Sequence, residues 1–223
     1  MSTPSPKTVT ILGSSGLQGA SVLHYLLQLP TSDFNIRAIT TRPVHSPSLP
    51  DLSMHPNMSI HFLRDTTSKD ELVELFKGSQ AVFANTNSLD SRYDGKPGSP
   101  TEIQALHAVV DAAVDANVEL LLLSCLPDLG KLTQSYHDFA NKVNGTNYAR
   151  QIAKATGLKV VYIQLGWYIT NFIDDHDPAV NEKDGVVEFF MRGLKQDKPG
   201  TSCRALDLST LHITALLNSP IFT

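Results

Sequence analysis

Cysteine, aromatic residues and one-sided charge are all scarce in this chain of 223 residues. Its two cysteines, Cys125 and Cys203, cannot build a disulfide framework, which points to a reducing compartment. The most apolar run, Val118 to Leu123, is far too short to cross a bilayer. The opening Met1 to Lys7 is polar and proline-containing; it lacks the apolar stretch of a secretory signal and reads as disordered through residue 6. These absences predict a cytoplasmic protein with no membrane partner. The 18 basic residues stand against 22 acidic ones, for a net charge of −4, with no basic cluster. Nucleic acid is therefore excluded as a partner, because phosphate backbones reward clustered Lys and Arg. The histidines have no metal-ligand spacing, so no metal site is expected. Neither a Walker motif nor a G-x-S-x-G elbow occurs, which leaves kinase and hydrolase readings without support.

What is present is an alternation of two periodicities. Lys7 to Gly13 is β-branched and reads as a strand; Leu17 to Leu29 then carries Ala20, Leu23, Leu26 and Leu27 at helical spacing. Strands are expected at Asn35–Thr40, Ser59–Leu63, Gln80–Asn85, Val118–Ser124 and Lys159–Gln164. A Pro- and Ser-rich loop from Pro43 to Pro56 separates the second and third. Ser68 to Glu71 has capping-box spacing and opens a helix through Phe76. Ser99 to Glu102 offers a second box with Pro100 in the first turn, and its helix carries Ile103, Leu106, Val109, Val110, Ala113 and Val114 on one stripe. Tyr136 to Thr156 reads as a long helix. Strands apolar on both faces, alternating with amphipathic helices, predict a doubly wound parallel α/β sheet covered on both sides. From Leu165 the rhythm breaks. Residues 7–165 form the expected Rossmann domain and 166–223 a small C-terminal substrate lobe, with a helix around Val186 to Leu194 and a last one over 206–218 packing back on the Rossmann domain.

Between the first strand and helix lies Gly13-Ser14-Ser15-Gly16-Leu17-Gln18-Gly19, a G-x-x-G-x-x-G loop. Gly13 permits the tight turn, Gly16 lets backbone approach a pyrophosphate, and Gly19 allows close packing of helix on strand. Amides at the helix start then face the anion. The second strand ends in Thr40-Thr41-Arg42, without the carboxylate that would hold an NAD ribose. Arg42 suits a 2′-phosphate, so NADP is preferred over NAD. Read otherwise, the loop is a structural turn and Arg42 a solvated strand-end side chain.

At these residues the chain resembles the NmrA-like proteins, a branch of the atypical short-chain dehydrogenase/reductases. The resemblance runs from about Thr8 to Phe222. It rests on ILGSSGLQGASVLHYLL, TTRP, RDTTSKDELVELFKGSQAVF, FANK, LGWYITNF and LDLSTLHITALLNSPIF. It implies that Gly13, Ser14, Ser15, Gly16, Leu17 and Gln18 hold the pyrophosphate, Arg42 the 2′-phosphate, and Asp65 the adenine side. Thr86, Asn87 and Lys142 would lie near the nicotinamide ribose, and Tyr168 to Asn171 would close over the nicotinamide. Two departures stand out. Asp138 intervenes between His137 and Phe139, where relatives have His directly before Phe. Relatives also continue past the segment matching Leu206 to Phe222, so a partner, a second copy of the chain included, is expected to cover it.

The superfamily's Tyr-x-x-x-Lys is missing, since Asp138 stands four residues before Lys142. The remaining candidates for proton handling are Ser124 at the end of strand five, and Tyr136 and His137 at the start of the long helix, with Lys142 orienting the cofactor. Ser124 reads equally as a strand-end hydroxyl, and Tyr136 and His137 as a solvated helix turn. Three expectations follow. One is an NADP(H)-dependent oxidoreductase acting on a small apolar or phenolic carbonyl or enone. Another, implied by the resemblance, is a non-catalytic NADP-sensing regulator with a protein partner. The third is a non-redox isomerase or dehydratase on the same fold.

Overall fold

The computed structural model describes residues 6–30, 34–42, 55–87, 101–128 and 140–165, together with the backbone of 179–180 and 187–188. Six strands form one parallel sheet: β1 (Lys7–Leu12), β2 (Phe34–Thr40), β3 (Met58–Phe62), β4 (Ala81–Ala84), β5 (Leu120–Cys125) and β6 (Lys159–Gln164). Their order is β3-β2-β1-β4-β5-β6. Helices α1 (Leu17–Leu27), α2 (Lys69–Phe76), α3 (Glu102–Asp115) and α4 (Ala140–Thr156) alternate with them. Strand order reverses between β1 and β4, which opens a crevice at their carboxyl ends.

The central strands are buried on both faces because their side chains alternate in direction and both directions are apolar. Leu12, Val82, Leu121 and Leu123 join a core with Leu72 and Phe76 of α2, Leu106, Val109 and Val110 of α3, and Ala149 of α4. The alternate residues Ile11, Phe83 and Leu122 face the other way and are equally buried, as are Val22, Leu23 and Leu26 of α1. β5 is buried throughout, Ser124 included, its four leucines supplying both faces.

Three expectations need correction. Ser68 does cap α2, accepting from the Glu71 amide at 3.3 Å, but the reciprocal half of the box is absent. The Ser68 amide donates to Asp65 O, and the Glu71 carboxylate instead takes the amides of Arg64 and Asp65 at 3.1 and 3.2 Å. The second capping box sits two residues later than expected: Thr101 caps α3 with Gln104 as its partner, and Glu102 is the first helical residue, while Ser99 and Pro100 lie outside the described residues. Finally, Val187–Glu188 is a short strand (β8) paired antiparallel with Ala179–Val180 (β7), not part of a helix. These two strands belong to a second compact unit that begins at Leu165. The remainder of 186–194 and all of 206–218 lie outside the described residues. No helix among the described residues is long and apolar enough to cross a membrane.

Candidate functional site

The glycine loop is fixed by backbone contacts at both ends. Gly13 has φ +82, a conformation that L side chains rarely adopt, and a Cβ there would meet Asn85 O at 3.0 Å. The amides of Gly13 and Ser14 both donate to Ile39 O, at 3.1 and 3.0 Å, and bolt the loop to the end of β2. The Gly16 amide closes the turn on Gly13 O at 3.0 Å. A Cβ on Gly19 would stand 2.2 Å from that same oxygen, so α1 reaches the strand this closely only because residue 19 is glycine.

The start of α1 differs from those of its neighbours. Ser68 and Thr101 cap α2 and α3, whereas Gly16 leaves α1 with no side-chain cap and no acidic residue in its first turn. An uncapped helix start with no acidic residue in its first turn favours an anion, by geometry and by the helix dipole. Leu17, the first helical residue, is 64% exposed beside it.

The expected loop residues divide by role. Ser14 is fully buried and spends its hydroxyl, like its amide, on Ile39 O at 2.9 Å. Ser15 bonds Thr40 Oγ1 at 2.7 Å, and Gln18 is buried in the first turn. Arg42 is exposed at the end of β2; its amide donates to Thr40 Oγ1 at 3.0 Å, and its Nη1 reaches Ser15 O at 3.4 Å. The guanidinium therefore lies against the loop whose amides would face a phosphate. Asp65 is exposed beyond β3 and accepts from the Thr67 amide and hydroxyl, both at 2.8 Å. Asn87 is exposed just past β4.

Across the crevice, α4 delivers Lys142 to the end of β4. Its ammonium donates to Thr86 O at 2.8 Å and to Asn85 Oδ1 at 3.4 Å. It also lies 3.4 Å from Glu102 Oε1, which accepts from Thr86 Oγ1 at 2.8 Å. The lysine and glutamate side chains are 9% and 2% exposed. Burial pushes the Lys142 ammonium below the usual lysine range, and Glu102 works in the opposite direction. Glu102 Oε2 is buried with no hydrogen-bond partner among the described residues.

Glu102 is the residue sequence reasoning missed. It stood in the sequence as an acidic first-turn residue, a common helix-start feature. Only the fold brings it against a lysine from another helix. Asn85 was missed as well, because an asparagine ending a strand has no signal of its own.

Ser124 is buried in β5 opposite Ile163 of β6. Its neighbour Cys125 is buried too, and burial pushes its thiol up, which suits a small apolar residue rather than a nucleophile. A cavity of about 310 Å³ opens where β5 and β6 end, lined by Leu126, Pro127, Asp128, Val143 and Arg150 among others. The Arg150 guanidinium sits 5.0 Å from the centre of the Tyr162 ring. Tyr136, His137, Tyr168 and Asn171 lie outside the described residues. No cluster of metal-ligating side chains occurs among those described.

A six-stranded parallel sheet whose order reverses at β1 and β4, with a glycine loop entering an uncapped helix at that reversal, defines a Rossmann-type α/β protein. The model of the NmrA-like family matches residues 5–206, and the chain belongs to that family. It is 33% identical over 175 residues to the NmrA-like family domain-containing oxidoreductase lnaB of Aspergillus flavus, covering 76% of this chain and 49% of that protein. The corresponding oxidoreductase ptmS of Penicillium ochrochloron is 33% identical over 177 residues, 77% of this chain and 50% of that one. The chain thus spans about half the length of the curated relatives it matches. Among solved structures, NmrA, a negative transcriptional regulator, in complex with NADP matches at a TM-score of 0.60 and 23% identity. Its complex with NAD matches at 0.58 and 21%. Each covers 75% of this chain and 48% of the other.

Proposed function

We propose that the chain binds NADP(H) across the β1/β4 crevice and serves as an oxidoreductase. The observation that carries this reading is the uncapped start of α1 with the Arg42 guanidinium beside it. With a pyrophosphate on the α1 amides the adenosine would lie toward β2, where Arg42 would hold a 2′-phosphate. The nicotinamide ribose would lie toward the end of β4, where Lys142 stands. When bound, the nicotinamide supplies the hydride exchanged with the substrate. The protein's own contribution is position: Gly13 and Gly19 hold the loop, Arg42 selects the cofactor, and Lys142 orients the ribose.

The substrate class is a small apolar or phenolic carbonyl or enone. Leu126, Pro127 and Val143 give the neighbouring cavity apolar walls, and Arg150 supplies one cation. Ser124, Tyr136 and His137 are the residues proposed to handle the proton. Relatives that carry the oxidoreductase name and NmrA structures holding NADP or NAD support this reading. Consumption of NADPH with a panel of quinones, enones and aryl aldehydes tests it. Turnover is expected with at least one of them; tight NADPH binding without any turnover would refute the enzymatic half.

A second reading has one observation in its favour. Position 138 is aspartate, so the proton donor of Tyr-x-x-x-Lys is missing. In that reading the chain senses the nicotinamide nucleotide and changes its affinity for a protein partner. Partner affinity that differs between NADP and NADPH supports it, and indifference to both rejects it.

A further inference from the structure

We infer that Glu102 is a positioning residue for Lys142, its buried carboxylate holding the ammonium against the end of β4. This deepens the cofactor reading and rests on it for the identity of the ligand, though not for the contact itself.

The argument starts from an oddity of placement. A glutamate at the first position of a helix is ordinarily solvated, and this one is almost wholly buried. Burying a carboxylate is costly unless charge and hydrogen bonds compensate. Three groups do so: Thr86 Oγ1 at 2.8 Å, the Lys142 ammonium at 3.4 Å, and the amino end of α3 itself. α3 takes Thr101 as its cap and Gln104 as the box partner, which leaves the Glu102 side chain unused by the helix. That side chain is spent on Lys142 and Thr86.

The lysine has three N–H donors, and three acceptors surround it: Thr86 O at 2.8 Å, with Asn85 Oδ1 and Glu102 Oε1 both at 3.4 Å. The short bond anchors the ammonium, and the two long ones are those it relinquishes to an incoming hydroxyl. Glu102 Oε2 has no partner among the described residues, so the carboxylate keeps a second acceptor for the ammonium as it shifts. The titratable groups facing Lys142 are Glu102 from α3 and the Cys125 thiol from β5, and Cys125 in turn faces Arg150 of α4. Asn85 and Thr86, beyond β4, carry no charge. Glu102 is therefore the one carboxylate among these groups that opposes the burial of the ammonium.

The test reads Lys142 directly. In protein labelled with 15N-lysine, the Lys142 Nζ resonance is assigned by its loss in Lys142→Arg and followed against pH. In Glu102→Gln the acid constant of Lys142 is expected to rise by about tenfold or more, with Glu102→Asp intermediate. Circular dichroism confirms that each variant is folded. Should Glu102→Gln fail to fold, Glu102→Asp decides alone, because shortening the side chain draws the carboxylate away from Nζ. An unchanged Lys142 titration in a folded variant overturns the inference, since a glutamate that only starts a helix would not move it. NADPH affinity measured across the same pH range separates this from the cofactor reading. If wild type binds no NADPH, that reading fails while the lysine titration still decides the role of Glu102. If wild type binds, affinity in Glu102→Gln is expected to fall away at lower pH than in wild type.

Discussion

Arg42 and Tyr148 show how single side chains carry separable consequences. Arg42→Ala removes a guanidinium that lies against the glycine loop. A charge-assisted bond to a phosphate contributes about 1.5–3 kcal/mol, so NADPH affinity is expected to fall roughly ten- to hundredfold by calorimetry while NADH affinity stays near wild type. Tyr148 donates to Asp111 Oδ1 at 2.7 Å and stacks on His107 with ring centroids 3.9 Å apart. The bond to Asp111, with burial and the aspartate charge adding to it, pushes the Tyr148 phenol up to about 12 from the ordinary 10.0. The proton is held more tightly in the folded state. The stability it contributes is therefore complete below about pH 10 and is lost as pH rises through about 12. Urea unfolding of Tyr148→Phe is expected to show a loss of about 1 kcal/mol at neutral pH and a shallower decline than wild type in the alkaline range. Residues whose chemistry is local were legible in the sequence: the glycine loop and Arg42 declare themselves by neighbours a few positions away. Glu102 was not, because its meaning depends on Lys142, which only the packing of α4 on α3 supplies.

Helix α3 shows the same division one level up. Two overlapping capping boxes are written at its start, Ser99 with Glu102 and Thr101 with Gln104, and local chemistry treats them alike. The later one forms, and the Glu102 side chain meets Thr86 and Lys142 instead of a backbone amide of the helix start. At its other end Asn117 adopts φ 55, with Asn117 N bonded to Val114 O and Val118 N to Ala113 O, a left-handed helix stop that asparagine tolerates. The contact between α3 and α4 is tight at Gly145, where an added Cβ would fall 2.4 Å from Leu106 Cδ1 and 2.8 Å from its Cβ. Gly145→Ala must push the helices apart and is expected to cost about 1–3 kcal/mol in chemical denaturation. The double variant with Leu106→Ala is expected to be less destabilised than the sum of the single changes, and strict additivity would contradict this packing. Element types and order were legible because periods of two and of three to four residues alternate cleanly up to β6. Past Leu165 they do not: Val187 and Glu188 pair antiparallel with Val180 and Ala179, a tertiary choice that overrides a helix-like local pattern.

For the whole molecule, the parallel order β3-β2-β1-β4-β5-β6 sets Gly13, Arg42, Asn85 and Lys142, distant in sequence, around one crevice. The alternation of strands and helices announced that fold, and family membership agrees with it. The glycine loop and the position of Arg42 were legible for the same reason, since they hang on the first strand, the first helix and the end of β2. Of the substrate-side candidates, Ser124 was legible as a strand-end residue of β5, whereas Tyr136, His137, Tyr168 and Asn171 lie outside the described residues. A ligand that binds only the folded chain stabilises it, by about 2.7 kcal/mol at a hundredfold excess over Kd, so NADPH is expected to raise the thermal midpoint with the logarithm of its concentration. The central claim is that the β1/β4 crevice is an NADP(H) site. Isothermal titration of the chain with NADPH, repeated with Gly19→Ala, tests it most directly. The account predicts saturable one-to-one binding by wild type that the Gly19 variant loses, because its Cβ must displace Gly13 O. No heat of binding to wild type, or equal binding by both proteins, would contradict it.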